Sequence, residues 1–180
     1  MIEKNIIWER AGRAGLVLGG VSVLYLLCTM LTALPAGGGV AAGLLLSLVN
    51  FLLWLAKFVG SIWLMRFFML GFSREDPAAD NARVFRFGTL TALLSALLYS
   101  AAYLAYTSFI APDTFAQAVD ILRDNPMMDA GSLEMLEEML PKMPVYGFFA
   151  NLIYCWLFGT VVAAIFSRSI PPQNPFIDQQ

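Results

Sequence analysis

Histidine is missing from this chain of 180 residues. That removes the commonest general base and the commonest metal ligand together. Cysteine is nearly missing. Cys28 and Cys155 stand alone, each inside an apolar stretch, which excludes a disulfide framework and makes them small buried hydrophobes. Charge is scarce as well: Asp, Glu, Lys and Arg together make up 13% of the residues, about half the share of an ordinary soluble domain. A net charge of -2 gives no electrostatic footing for nucleic acid. No Asp or Glu falls inside a long apolar stretch, so acid–base chemistry has carboxylates only at the edges of those stretches. An enzyme is therefore not expected, and neither a cofactor nor a resident metal is implied.

Apolar side chains fill the space, at 59% of the chain. Ala14 to Ala56 holds no charged residue and is broken near its middle by Pro35 and by Gly37, Gly38 and Gly39. A hydrocarbon layer ~30 Å thick needs about 20 apolar residues per helix, so this run reads as two spans folded back to back. Two further stretches follow, and the expected spans are 14–34, 40–66, 87–110 and 145–166. Each must be helical, because lipid offers no partner to a bare backbone amide. The expectation is an all-α, single-domain polytopic membrane protein, its four transmembrane helices in an antiparallel bundle. The apolar run after Lys4, Arg10 and Arg13 exceeds the roughly 7–15 residues of a signal-peptide core, which favours a retained signal-anchor helix.

The basic residues orient the bundle. Lys4, Arg10 and Arg13 precede the first span, Arg66, Arg74, Arg83 and Arg86 lie around the connector after the second, and Arg168 follows the fourth. Only Arg123 and Lys142 fall on the other side. Both termini and the connector 73–86 are thus expected in the cytoplasm, with the Pro35–Gly39 turn and the region 111–144 outside. In the connector, Asp76-Pro77 predicts a short solvated helix. In the outer region, Pro112 and Asp113 open a helix through Asp124 that Asn125-Pro126 stops. Ser132 caps a second helix through Leu140, ended by Pro141 and Pro144. Phe115, Val119 and Leu122 share one face of the first, and Met135, Met139 and Met143 are spaced by four on the second, so both read as amphipathic extracytoplasmic helices. The methionines from Met127 to Met143 are soft ligands of the kind Cu(I) takes. With no Cys or His nearby they read instead as a pliable apolar face. The Pro-rich tail, 169–180, is expected to be flexible, and an extended segment of that kind can serve as a docking peptide.

Lys57 is the one charge clearly within a span. A lysine at the centre of a membrane helix costs roughly 2.5–3.5 kcal/mol. If the second span begins at Val40, its ammonium snorkels to the cytoplasmic headgroups and leaves Phe58 to Phe72 as an apolar extension needing cover. If the membrane part is Leu44 to Leu64, which puts Trp63 at the inner interface, Lys57 lies about 10 Å inside the boundary and needs a partner. The second register is preferred. Asn50, Trp54, Lys57 and Ser61 share a helix face, and Ser22, Tyr25 and Thr29, then Ser95, Tyr99, Tyr103 and Tyr106, then Asn151, Tyr154 and Cys155 supply polar positions on the other spans. The candidate binding set is Lys57, Asn50, Ser61, Tyr99, Tyr103 and Asn151, suited to an anion, a lipid phosphate or a carboxylate from another subunit. The competing account is interhelical hydrogen bonding, worth about 0.6 kcal/mol per contact. Gly12, Gly15 and Gly19 recur on one side of the first span and permit close helix packing.

The opening Glu3-Lys4-Asn5-Ile6-Ile7-Trp8, followed by Ala11-Gly12-Arg13-Ala14-Gly15, resembles an uncharacterised family of small four-helix inner-membrane proteins of Bacteroidetes, a domain of unknown function. Met65-Arg66-Phe67-Phe68 and Asn81-Ala82-Arg83 carry the same resemblance. It implies a bacterial inner-membrane location and no active site, and it points to envelope glycan or lipid-linked sugar work. The function expected is an accessory or scaffolding subunit of an envelope-related complex. Its partners would be the lipid bilayer and either another membrane protein or further copies of itself. The alternative is a small transporter or lipid-handling protein with its site at Lys57.

Overall fold

The computed structural model describes residues 2–32, 40–76, 79–123 and 129–170. The Pro35–Gly39 turn, Pro77, the Asn125-Pro126 stop, Met127 and the tail from 171 lie outside the described residues. Every regular element among the described residues is helical: α1 (Ile2–Thr32), α2 (Val40–Glu75), α3 (Asn81–Ala105), α4 (Thr114–Arg123), α5 (Ala130–Met139) and α6 (Met143–Ser169). A π-helical turn, Tyr106–Ile110, prolongs α3, and a 3-10 turn, Leu140–Lys142, leads into α6. Four helical stretches, within α1, within α2, along α3 with its π turn, and ending in α6, are long and apolar enough to cross a membrane.

Small residues let these helices approach. Gly15 and Gly19 of α1 lie against Thr91, Leu94, Ser95 and Leu98 of α3; a Cβ at Gly15 would stand 3.2 Å from the Thr91 carbonyl oxygen. Gly12 faces open space and takes no part. On its other side α3 interlocks with α6. Gly88 receives Ala163, and Gly159 receives Ala92, so each helix offers a glycine and an alanine four residues apart. The α1–α3 pairs run in the same order along both helices, and the α3–α6 pairs in opposite order. Lipid supplies no hydrophobic drive between helices, so close backbone packing of this kind has to hold them. α3 is the central element, packed most extensively on α6 and α1, whereas the most apolar stretch of α2 buries none of its residues.

The core proper sits at the basic end, where three helices outrun their apolar stretches. α2 is 36 residues long, about 54 Å at 1.5 Å per residue. Its overshoot carries Met65, Met69 and Phe72 into a core with Ala11, Ala14, Val84 and Phe87. The Phe72 and Phe87 rings stack at 4.4 Å between centroids, 2° from parallel. The apolar extension from Phe58 to Phe72 is thus covered in part by protein: water outside the hydrocarbon again drives burial. Arg10 pairs with Glu75 at 2.6 Å and Arg83 with Asp76 at 3.3 Å, tying α1, α2 and α3 together at this end.

The connector departs from expectation. Its residues do not form a helix of their own among those described; α2 absorbs them through Glu75, and Asp80 caps α3 by accepting from the Arg83 amide at 2.6 Å. Asp at that position satisfies an orphan donor of the new helix. At the opposite end an ion pair from Arg123 to Glu137 joins α4 to α5, and Arg123 also pairs with Asp120 within α4. α5 starts earlier than Ser132 predicted. Asp129 precedes it in extended backbone, and the Ser132 hydroxyl donates to the Asp129 carboxylate, so Ser132 is not itself the cap. This hydrogen bond holds the Asp129 carboxyl below its ordinary 3.8, against a smaller opposing desolvation. Pro144 opens α6 and does not end α5, since a first-turn residue needs no amide hydrogen. Met135, Met139 and Met143 therefore do not form one stripe: α5 stops at Met139 and Met143 begins α6. Of the segment expected to be flexible from 169, Ser169 is helical and Ile170 is buried in the basic-end core.

Candidate functional site

Above the basic-end core the packing loosens into a cleft of about 140 Å³ reached by all four long helices. α1 contributes Leu18 and Ser22; α2 contributes Trp54, Lys57, Phe58 and Ser61; α3 contributes Ser95 and Ala96; α6 contributes Tyr154, Cys155 and Phe158. The cleft exists because α2 stands off from α6. Between these two helices the aromatic contacts are Phe58 with Phe158, at 5.4 Å between centroids, and Phe166 beneath Arg66. The mouth lies on the outer surface of the bundle: Trp54 is 48% exposed and Tyr154 69%. Its rim is aromatic and its floor small, since Gly159 and Ala92 leave room that larger residues would fill.

Lys57 is half-buried in this cleft. Its Nζ stands 4.7 Å from the Tyr25 ring centroid and 4.2 Å from that of Tyr99. A desolvated ammonium over an aromatic face gains ~2 kcal/mol, and over an exposed one about 0.5–1. Two rings therefore offset much of the cost of a charge at the centre of a membrane helix. Among the described residues Lys57 makes no ion pair, its ring contacts being those to Tyr25 and Tyr99.

The depth of Lys57 follows from its neighbours. Cys155 of α6 stands midway between Lys142, just before that helix, and Arg168, about 20 Å from each along the axis. Tyr99 is similarly remote from Arg86 and from the end of the π turn. The ammonium thus sits near the middle of the apolar zone and is turned toward two rings.

The candidate residues separate. Lys57 and Ser61 line the cleft, and Tyr99 supplies one of the rings. Asn50 does not join them: it accepts from the Thr32 hydroxyl at 2.7 Å, clamping α2 to α1 about 10 Å along α2 from Lys57. Tyr103 packs against Gly147 at the start of α6, beside Phe115 of α4. Asn151 is half-buried on α6 and is not a wall of the cleft. Tyr25, Ser22, Ser95 and Cys155 were absent from the candidate set and do belong to the site. Their signal was their place on the polar faces of the first, third and fourth spans; the rotation of each helix about its axis decided which of those positions met.

No curated protein and no solved structure matches the chain. The matching family region, residues 13–168, takes in the cleft, both glycine interfaces, α4 and α5. Over that region the sequence matches the family described as a protein of unknown function, DUF4199, and the chain belongs to it.

Proposed function

We propose that this protein is a non-enzymatic integral membrane subunit that uses its lipid-facing cleft to join a larger envelope-related assembly. In this reading the four long helices cross a bacterial inner membrane as an antiparallel bundle. Both ends lie in the cytoplasm, and α4 and α5 rest on the outer surface. Support for the orientation comes from Arg10, Arg66, Arg83 and Arg168, which fall at one end of the helices.

The size of the cleft carries the proposal. A cavity of ~150 Å³ holds one benzene ring, whereas pockets for ordinary small-molecule ligands run to about 300–1,000 Å³. About 140 Å³ is room for a side chain, with a cation waiting in it and its mouth in the plane of the lipid. That is a socket for a neighbour more than a passage for a solute. The test is extraction of the native membranes into lipid nanodiscs followed by native mass spectrometry. A stoichiometric complex with a second membrane protein is expected; a stable monomer, free of other chains, would refute the subunit reading.

The second reading, a lipid-handling protein or small transporter centred on Lys57, draws on the exposed aromatic mouth, which an acyl chain could enter from the bilayer. Here Lys57→Leu decides: transport or lipid binding that survives the change unaltered removes the site.

A further inference from the structure

We propose that the Lys57 cleft receives one carboxylate-bearing transmembrane helix of another protein, seated between α2 and α6 so that its Asp or Glu pairs with the Lys57 ammonium. The inference rests on the subunit reading above and names the chemistry of the partner.

Charge complementarity is the first argument. Lys57 is a cation with three N–H donors, and two ring faces leave at least one for an oxygen acceptor. The chain cannot supply that oxygen as a carboxylate from its own spans. Asp and Glu are absent between Arg10 and Arg74, between Asn81 and Pro112, and between Met139 and Ile177. The same absence excludes a second copy as the source. Depth is the second argument. Lipid phosphates lie at the edge of the hydrocarbon, ~15 Å from its midplane, and Lys57 stands near the middle among Tyr25, Tyr99 and Cys155. A helix presents a carboxylate at any depth its sequence sets. Shape is the third. The cleft takes one side chain and opens sideways between Trp54 of α2 and Tyr154 of α6, both exposed. A cation inside the membrane that faces such an opening has the setting in which intramembrane charges pair across helices.

The experiment uses the full chain in proteoliposomes at pH 8, labelled at its N-terminus. The probe is a synthetic transmembrane peptide of about 20 Leu and Ala residues with lysine flanks and one central Glu, carrying an acceptor dye. Matched peptides replace the Glu with Gln or Leu. Energy transfer should report association of the Glu peptide on the order of tenfold tighter than of either control. Lys57→Met should erase that preference and Lys57→Arg should retain part of it. Ser61→Leu, which fills the cleft and leaves the charge, should block the peptide as fully as Lys57→Met. Circular dichroism of each variant confirms that the helices persist. Equal association of the Glu, Gln and Leu peptides, or a preference that survives Lys57→Met, overturns the proposal. So does a long-chain fatty acid that binds in a Lys57-dependent way while the Glu peptide does not, since the occupant would then be a free amphiphile. A native complex that persists while the peptide shows no preference removes only the carboxylate and leaves the subunit reading standing.

Discussion

Exchanging a single methyl group across the α3–α6 interface tests how this fold is held together. Gly159 faces Ala92 so closely that a Cβ added at 159 would overlap the Ala92 methyl. Gly159→Ala therefore overpacks the contact, at about 1–3 kcal/mol, against a gain of up to ~1 kcal/mol from replacing glycine within a helix. The net expectation is a loss of roughly 1 kcal/mol. Ala92→Gly alone gives back that helical preference and opens a small gap, costing ~1 kcal/mol. The double variant moves the methyl from one helix to the other and keeps the interface volume, so it should recover to near the parent. The coupling energy is then about 1–2 kcal/mol in favour of the pair. Reversible unfolding in mixed detergent micelles, with increasing sodium dodecyl sulfate and far-ultraviolet circular dichroism as readout, measures all four corners of the cycle. Strict additivity, or a Gly159→Ala protein more stable than the parent, would mean that the helices do not meet through these residues. The same two positions floor the cleft, so the cycle also tests whether that cavity has the shape described.

Glycines on the first helix should behave unequally under the same assay. Gly15→Leu is expected to lose about 2 kcal/mol or more against Leu94 and the Thr91 carbonyl, whereas Gly12→Ala, in open space, should be neutral or gain up to ~1 kcal/mol. If Lys57 is held by ring faces, Tyr25→Leu and Tyr99→Leu should each cost about 0.5–2 kcal/mol in the parent and markedly less in a Lys57→Met background, while Tyr→Phe at either position changes little; equal losses in both backgrounds would contradict the cation–π account. Acid should loosen α5 from its start. The folded carboxyl of Asp129 lies below its ordinary 3.8, so the stabilisation it lends is complete above that value and disappears as pH falls through the lower folded one. Hydrogen exchange over the first turn of α5 should accelerate on that descent in the parent, and Asp129→Asn should flatten the dependence.

Much of the architecture was legible in the chain. Long uncharged runs can only be helices in lipid, so α1, α2, α3 and α6 emerged with their apolar stretches in place. Their ends were less legible. α2 runs on to Glu75 and α1 begins at Ile2 because helix continues where water, and not lipid, is the solvent, and there Met69, Phe72 and Phe87 find one another. α4 and α5 were anticipated from Phe115, Val119 and the proline stops, but Asp129 outcompeted Ser132 for the start of α5, and Pro144, expected to close α5, opened α6 instead. Of the interface glycines, Gly15 and Gly19 were visible as a repeat. The reciprocal pair formed by Gly88 with Ala163 and Gly159 with Ala92 was not singled out, since small residues are common in membrane helices and only contact distinguishes them.

What the sequence determined alone was the solvent. An apolar chain with almost no charge between its basic ends, and no carboxylate in any span, dictates helices in hydrocarbon and a lysine with no internal acid to answer it. Those conclusions need only the cost of exposing peptide groups and charges to lipid, which is a local quantity. Tertiary structure decided where that lysine stands: between Tyr25 and Tyr99, beside Ser61, apart from Asn50 and Asn151, in a gap left because α2 packs loosely against α6. Helix rotation and spacing are set by interdigitation across whole interfaces, and in a membrane, where one apolar face serves nearly as well as another, residue type along a single helix does not specify them.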